Sequence, residues 1–206
     1  MRFTLLLGLM LGVTVVLLPA QRATAPRAPG TRLVTKADCA ATLGAGVKSR
    51  RTFCDVITAG TPAESVSLSI PAHTGVATLQ FDLHNRFMIP VVANQPALAY
   101  TRHEAVVSVV SGSGDVIGQA AVVREFRVVA DLFDQITGGG RPGGVKAVAP
   151  GPPEPVRFSI PAAVSSVGVV GASLRVKTAL GVDEVFDSPG RPVAIVSNLR
   201  LEYRPR

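Results

Sequence analysis

A period-two alternation of apolar and polar residues over positions 66–86 constrains the fold more than any other feature of the sequence. Such alternation is typical of β-strands that bury one face and expose the other to solvent. Pro71 cannot donate to a strand ladder, so it ends the first strand, and Gly75 helps the chain to turn back. The sequence therefore predicts a hairpin, and the side chains expected to face its core are Val66, Leu68, Ile70, Leu79, Phe81 and Leu83.

The beginning of this hairpin recurs later in the chain. Residues 66–72 read VSLSIPA and residues 156–162 read VRFSIPA, so five of seven positions are identical. The similarity decays after Ala162, and farther along Phe81 would align with Gly171. This repeat predicts a second strand pair built like the first.

The composition favours an all-β protein with many turns. Hydrophobic residues make up 47% of the chain, and the 20 glycines and 16 prolines supply turn residues. About ten short strands with closely spaced turn signals predict a two-sheet antiparallel sandwich, either jelly-roll-like or a related barrel. We expect residues 26–206 to form a single β-rich domain, with a Gly/Pro-rich loop at 138–155.

One segment departs from the strand period. Val129, Leu132, Phe133 and Ile136 follow the i, i+3, i+4, i+7 spacing of a helix face, and Gly138 stands where a helix would end. The pattern predicts one short helix near 128–137, packed against the sandwich.

The N-terminus resembles an export signal. Arg2 precedes an apolar run from Phe3 to Leu18. Ala23-Thr24-Ala25 fits a small-x-small cleavage site, and Leu18-Pro19-Ala20 is a second possibility. The run is short for a bilayer span, which needs about 20 apolar residues, so an uncleaved anchor is the minor alternative. The sequence predicts a signal peptide at 1–25, a secreted or periplasmic location, and no membrane span after cleavage.

Cys39 and Cys54 are the only cysteines in the chain. Two cysteines in an exported protein are expected to pair, and the C-x-x-C spacing of a redox pair is absent. We therefore predict a structural disulfide that closes the loop 39–54.

The polar side of the second strand is the candidate binding face. If Leu79, Phe81 and Leu83 point inward, the alternate side chains line up on the solvent face. That row presents several adjacent groups that donate or accept hydrogen bonds, and it consists of Thr78, Gln80, Asp82, His84 and Arg86.

The same row supplies the enzymatic alternative. Asp82 and His84 share a strand face, so they could serve as an acid–base pair or hold a metal in a hydrolase, with His103 or Glu104 as a third group. The ordinary interpretation of such residues is a solvated strand face. The sequence assigns no catalytic residue, no metal ligand and no cofactor.

The charge of the chain limits its partners. The formal net charge is +7, which falls to +5 once Arg2 and Arg22 leave with the signal segment. Nucleic-acid binding is not expected, because the basic residues are scattered and lack interleaved aromatics. The sequence favours an exported, non-catalytic β-sandwich that binds an unknown protein or an anionic polymer, and it does not identify the ligand.

Overall fold

The computed structural model describes residues 30–58, 64, 66–87, 100–137, 148–179 and 181–206. The predicted signal peptide at 1–25 lies outside these residues. Within them, no helix has the length and apolar character needed to cross a membrane.

Strands dominate the described residues, as the alternating sequence pattern predicts. In the first half they are β1 (Arg32–Val34), β2 (Asp38–Cys39), β3 (Thr42–Gly46), β4 (Thr52–Ile57), β5 (Val66–Ser69), β6 (His73–Asn85) and β7 (Thr101–Ser111). In the second half they are β8 (Val116–Phe126), β9 (Leu132–Thr137), β10 (Val148–Pro150), β11 (Glu154–Ile160), β12 (Ser166–Thr178), β13 (Asp183–Phe186) and β14 (Pro192–Pro205).

These strands form two antiparallel sheets, which confirms the all-β sandwich. The large sheet has eight strands in the order β10-β9-β3-β4-β14-β6-β11, with β1 also paired to β14. The small sheet has six strands in the order β2-β5-β12-β7-β8, with β13 also paired to β12. Strands β7 and β8 form a local hairpin around Ser111–Asp115.

The two VxxSIPA repeats do not form the predicted hairpins. Strand β5 lies in the small sheet and pairs with β12, whereas β11 lies in the large sheet and pairs with β6. Each repeat therefore crosses between the sheets after its proline, and its first strand pairs with the second strand of the other repeat. The apolar side faces the shared core whether the chain makes a hairpin or a crossover, so alternation alone could not distinguish the two.

The main core lies between the two sheets. The side chains that were predicted to point inward from β6 are all buried there, because Leu79, Phe81 and Leu83 are at most 2% exposed. Val66 and Leu68 of β5 contribute from the small sheet. The predicted inward-facing sides of β5 and β6 are thus confirmed.

The large sheet also buries residues on its other side, because it curls. Strands β6 and β9 are separated by three strands in the sheet order, which would place them about 19 Å apart in a flat sheet. Yet the centre of the His84 ring on β6 lies 5.2 Å from the centre of the Phe133 ring on β9. We call this second side of the large sheet the curl face; its apolar cluster is Leu43, Phe53, Ile136 and Ile195, with Phe133 packed against it.

The predicted helix near 128–137 is wrong over most of its length. Only Val129–Asp131 forms a short 3-10 helix, and Leu132–Thr137 is strand β9. Strand β9 pairs with β3 and β10, so backbone pairing at the sheet edge outweighs the helical spacing of four apolar residues.

Other predicted features have mixed outcomes. Cys39 and Cys54 form the predicted disulfide, with 5.9 Å between their Cα atoms, and the loop that it closes contains β3. Strand β14 has a register shift between Ser197 and Arg200, where Asn198 has a φ of 54°. The predicted loop 138–155 lies outside the described residues up to position 147, and beyond that it contains β10 and the start of β11.

Candidate functional site

The predicted row on β6 occupies one face of the strand. Cross-strand partners share a face, and the partners Ile195 and Ser197 of β14 place His84 and Asp82 on the curl face. The structure therefore keeps Thr78, Gln80, Asp82, His84 and Arg86 on the side opposite the main core.

The expected solvent exposure of this row is wrong for two of its members. His84 is 1% exposed and Gln80 is 6% exposed, whereas Thr78, Asp82 and Arg86 are half-buried. The strand register remains as predicted, because the apolar residues still face the main core. The curl of the large sheet covers the His84 end of the row, and the amino-acid sequence alone gives no signal of that curvature.

His84 lies in an apolar setting with a single polar partner among the described contacts. Its ring packs edge-on against Phe53 at 5.3 Å, and its Nε2 is hydrogen-bonded to the Oγ of Ser197 at 2.9 Å. Its Nδ1 is buried and has no hydrogen-bond partner among the described residues. Burial first, and the charges of Arg51 and Arg124 next, lower the pKa of His84 from 6.5 to about 4, while Asp134 opposes the shift. The ring is therefore neutral at pH 7.

Two ion pairs neutralise the same end of the row. Arg51 Nη1 donates to Asp82 Oδ2 at 2.6 Å, and Arg86 Nε donates to Asp55 Oδ1 at 2.8 Å. The guanidinium of Arg51 also lies 5.6 Å from the centre of the Phe133 ring. These half-buried pairs fix the side chains in place and leave this end of the row without net charge.

The groups named for the hydrolase alternative are not all brought together. Asp82 and His84 share the curl face, but the described contacts include no hydrogen bond between them. His103 belongs to the small sheet, where it packs against Phe87 at 5.2 Å, and burial lowers its pKa to about 4. Within the described part of the chain, no group of three or more His, Cys, Asp or Glu side chains is arranged to hold a metal ion.

The other end of the row is basic. Gln80 is paired across β6 with Arg157 of β11 on one side and with Arg200 of β14 on the other, so the three side chains form one line on the curl face. Arg200 donates to Gln80 Oε1 from Nε at 3.2 Å and from Nη2 at 2.9 Å. Arg204 follows farther along β14 opposite Thr74. We call Arg157, Arg200 and Arg204 the arginine face.

The arginine face carries excess positive charge. Arg157 and Arg204 are exposed, Arg200 is half-buried, and the described ion pairs include none of the three. Glu202 is the acidic residue between Arg200 and Arg204 on β14. Sequence reasoning missed this cluster, because Arg157 of β11 joins Arg200 and Arg204 of β14 only through the pairing of both strands with β6.

A cleft opens beside the disulfide. It has a volume of about 610 Å³, and strands of both sheets contribute to its walls. We call it the disulfide cleft; residues that line it include Ala37, Asp38, Thr42, Arg51, Thr52 and Leu199. Through the Arg51–Asp82 pair, the cleft adjoins the row on β6.

Comparisons with known proteins identify no family. No protein-family model matches the chain, and the comparison with curated proteins gives no match. A similar solved structure is the crystal structure of infectious bursal disease virus VP2 subviral particle, which is 13% identical with a TM-score of 0.25. The alignment covers 92% of this chain and 36% of that chain. Similarity at this level carries no argument about function.

Proposed function

We propose that this chain is an exported, non-catalytic β-sandwich protein that binds an anionic polymer through the arginine face. The observation that carries the proposal is the line Arg157–Gln80–Arg200 across three neighbouring strands. Two guanidinium groups on either side of one central strand start from backbones about 10 Å apart, so they can meet successive anionic groups of one polymer chain. Arginine is suited to this task, because its planar fork binds carboxylate, sulfate or phosphate oxygens in pairs.

Exposure and rigidity support the same proposal. Gln80 holds the guanidinium of Arg200 by two hydrogen bonds, so this side chain is partly ordered before any ligand arrives. Less conformational freedom is then lost on binding. Arg157 and Arg204 are exposed and can reach a ligand that lies along the sheet.

The matched ligands for a test are dextran sulfate and unsulfated dextran of the same length. We expect the purified protein to bind dextran sulfate and not dextran, with an affinity that falls as salt screens the charges. Replacing both arginines in Arg157→Ala/Arg200→Ala should weaken binding by about tenfold or more. Isothermal titration calorimetry at several salt concentrations measures this.

A charge-matched control separates the face from net charge. Arg175→Ala/Lys177→Ala removes two basic side chains from the small sheet and gives the same net charge as the first double variant. This control should bind dextran sulfate nearly as the parent does. Equal losses in the two double variants would show that binding follows total charge and would refute the arginine face as the site.

The export part of the proposal rests on the N-terminal sequence. The apolar run from Phe3 to Leu18 followed by Ala23–Ala25 supports a cleaved signal. The Cys39–Cys54 disulfide is in keeping with it, since disulfides persist in oxidising compartments. The intact mass of protein recovered from the culture fluid or periplasm should correspond to a start near Gln21 or Pro26. Full-length protein in a membrane fraction would contradict cleavage.

A further inference from the structure

The disulfide cleft exposes part of the main core. Ala37, Cys54 and Leu199 are partly buried and pack against the core cluster, and all three also line the cleft. Val66 of the small sheet and Val196 of the large sheet complete the apolar lining. A ligand in the cleft would therefore rest on apolar side chains from both sheets.

The size of the cleft matches small molecules. Its volume of about 610 Å³ lies within the range of about 300–1,000 Å³ that is typical of small-molecule sites. The disulfide joins β2 of the small sheet to β4 of the large sheet at this point, so the two walls are covalently held together. Such a site is largely formed before a ligand binds, which reduces the entropy lost on binding.

The polar lining specifies the kind of ligand. The charged lining residues are Arg51, which is already bonded to Asp82 at 2.6 Å, and Asp38, which is exposed to solvent. An anionic group on a ligand would therefore find no free cation among the described residues of the cleft, and solvent screens the charge of Asp38. The remaining polar side chains are hydroxyls and amides that donate and accept hydrogen bonds, and they include Thr35, Thr42, Thr52 and Asn198.

We infer that the disulfide cleft binds a neutral, largely apolar small molecule that carries hydroxyl or amide groups at one end. The apolar part packs on the partly exposed side chains of Ala37, Cys54 and Leu199, and the polar end meets the threonines. This site is separate from the arginine face. It does not depend on the polymer binding proposed above.

Two fluorescent probes with the same ring system test this inference. N-phenyl-1-naphthylamine is neutral, and 1-anilinonaphthalene-8-sulfonate adds one sulfonate to those rings. We expect the native, oxidised protein to bind the neutral probe at one saturable site, about tenfold or more tightly than the sulfonate. The absence of saturable binding of the neutral probe would overturn the inference, and equal affinity for the sulfonate would overturn the ligand class.

Three variants locate the binding. Thr42→Trp and Thr52→Trp each place a bulky ring on an exposed lining position and should weaken binding of the neutral probe by about tenfold or more. Thr74→Trp adds the same ring at an exposed position of β6 outside the cleft lining and should bind as the parent does. Undiminished binding in the two cleft variants would refute the site.

Two further measurements distinguish a lost cleft from an unfolded variant and distinguish the cleft from the arginine face. A cooperative thermal transition shows that each tryptophan variant is folded, and either cleft variant is sufficient if the other does not fold. Arg157→Ala/Arg200→Ala should retain the neutral probe even if its polymer binding is lost. Failure of the cleft and failure of the arginine face are then distinguished.

Discussion

His84 and Ser197 are 113 residues apart in the sequence, yet the Nε2 of one and the Oγ of the other are hydrogen-bonded at 2.9 Å inside the curl of the large sheet. His84 is therefore buried, although the alternating pattern of β6 predicts that its side chain faces solvent. This contact places a titratable ring where protonation is unfavourable, with consequences for acid stability.

Acidification should destabilise the protein between pH 6.5 and 4. The pKa values of His84 and His103 are lowered to about 4, so the folded state binds fewer protons than the unfolded state over this interval. Stability is complete above the unfolded pKa of about 6.5 and is lost as the pH falls towards 4, by about 3 kcal/mol for each histidine. Urea unfolding at half-unit pH steps measures the loss.

A non-titrating variant identifies the source of that loss. His103→Leu keeps an apolar side chain against Phe87 and should remove about half of the pH dependence. The carboxylates whose pKa values are lowered lose their contribution below about pH 4.5, because their unfolded pKa values are 4.5 or 3.8. Burial raises the pKa of Asp134, but hydrogen bonds from Ser49 and from backbone amides lower it more, so its contribution is lost at a lower pH. A free energy of unfolding that stays constant from pH 6.5 to 4.5 would contradict the assignment.

Two positions on β6 and one on the neighbouring strand β11 should differ in a defined order of stability loss. Phe81→Ala should cost about 3–5 kcal/mol, because it leaves a cavity in the main core. His84→Ala should cost about 2 kcal/mol, since it removes a buried ring and leaves Ser197 without its partner. Arg157→Ala on the same face is exposed and should change stability by less than about 0.5 kcal/mol. Chemical unfolding of the three variants gives the order. A His84 variant as mild as the Arg157 variant would mean that the curl does not bury the ring.

The disulfide should contribute to stability through the loop that it closes. Cys39 and Cys54 are separated by 15 residues, for which the chain-entropy model gives about 3 kcal/mol. Cys39→Ser/Cys54→Ser should lower the free energy of unfolding by about 2–4 kcal/mol, as measured in urea. The parent should also show no free thiol in a thiol titration without reductant. A double variant as stable as the parent would show that the link between the sheets contributes nothing.

Gly171 should not tolerate a side chain. A Cβ at this position would lie 2.9 Å from the backbone carbon of Ile57 and would collide with Val193. Gly171→Ala should destabilise the protein by about 1–3 kcal/mol, because backbone atoms cannot move aside as a flexible side chain can. Thermal and urea unfolding measure the change. Ala172→Ser at the next position is half-buried and serves as the control, with a smaller loss expected.

Gly171 also shows what the sequence could and could not predict. Beyond the repeat, Phe81 of the first copy aligns with Gly171 of the second, where a distant chain segment forms a bridge through Thr58 and leaves no room for a side chain. The repeat itself is visible in one sequence. The approach of a distant segment is not, because it depends on how the two sheets are assembled.

In the candidate site, too, the sequence predicts what is local to one strand and does not predict what depends on strand pairing. Alternation predicted correctly that Asp82 and His84 share a face, because that property is local to one strand. Their partners Arg51 and Ser197 come from other strands of the large sheet, and the sequence gives no register for that pairing. The short helix failed for a related reason, since four apolar residues with helical spacing are also compatible with a strand whose two sides are both covered.

The exchange of strands between the two repeats determines the order in which the chain can fold. Strand β5 finds its partner β12 only after almost the whole described chain has been synthesised, and β6 must likewise wait for β11. Neither repeat can close a local pair of its own and fold ahead of the other. Contacts between distant segments slow folding, because the entropy of closing long loops is lost before the contacts form. Until β12 is available, β5 has only the two-residue strand β2 to pair with among the described strands, and its other edge is open to aggregation during this interval.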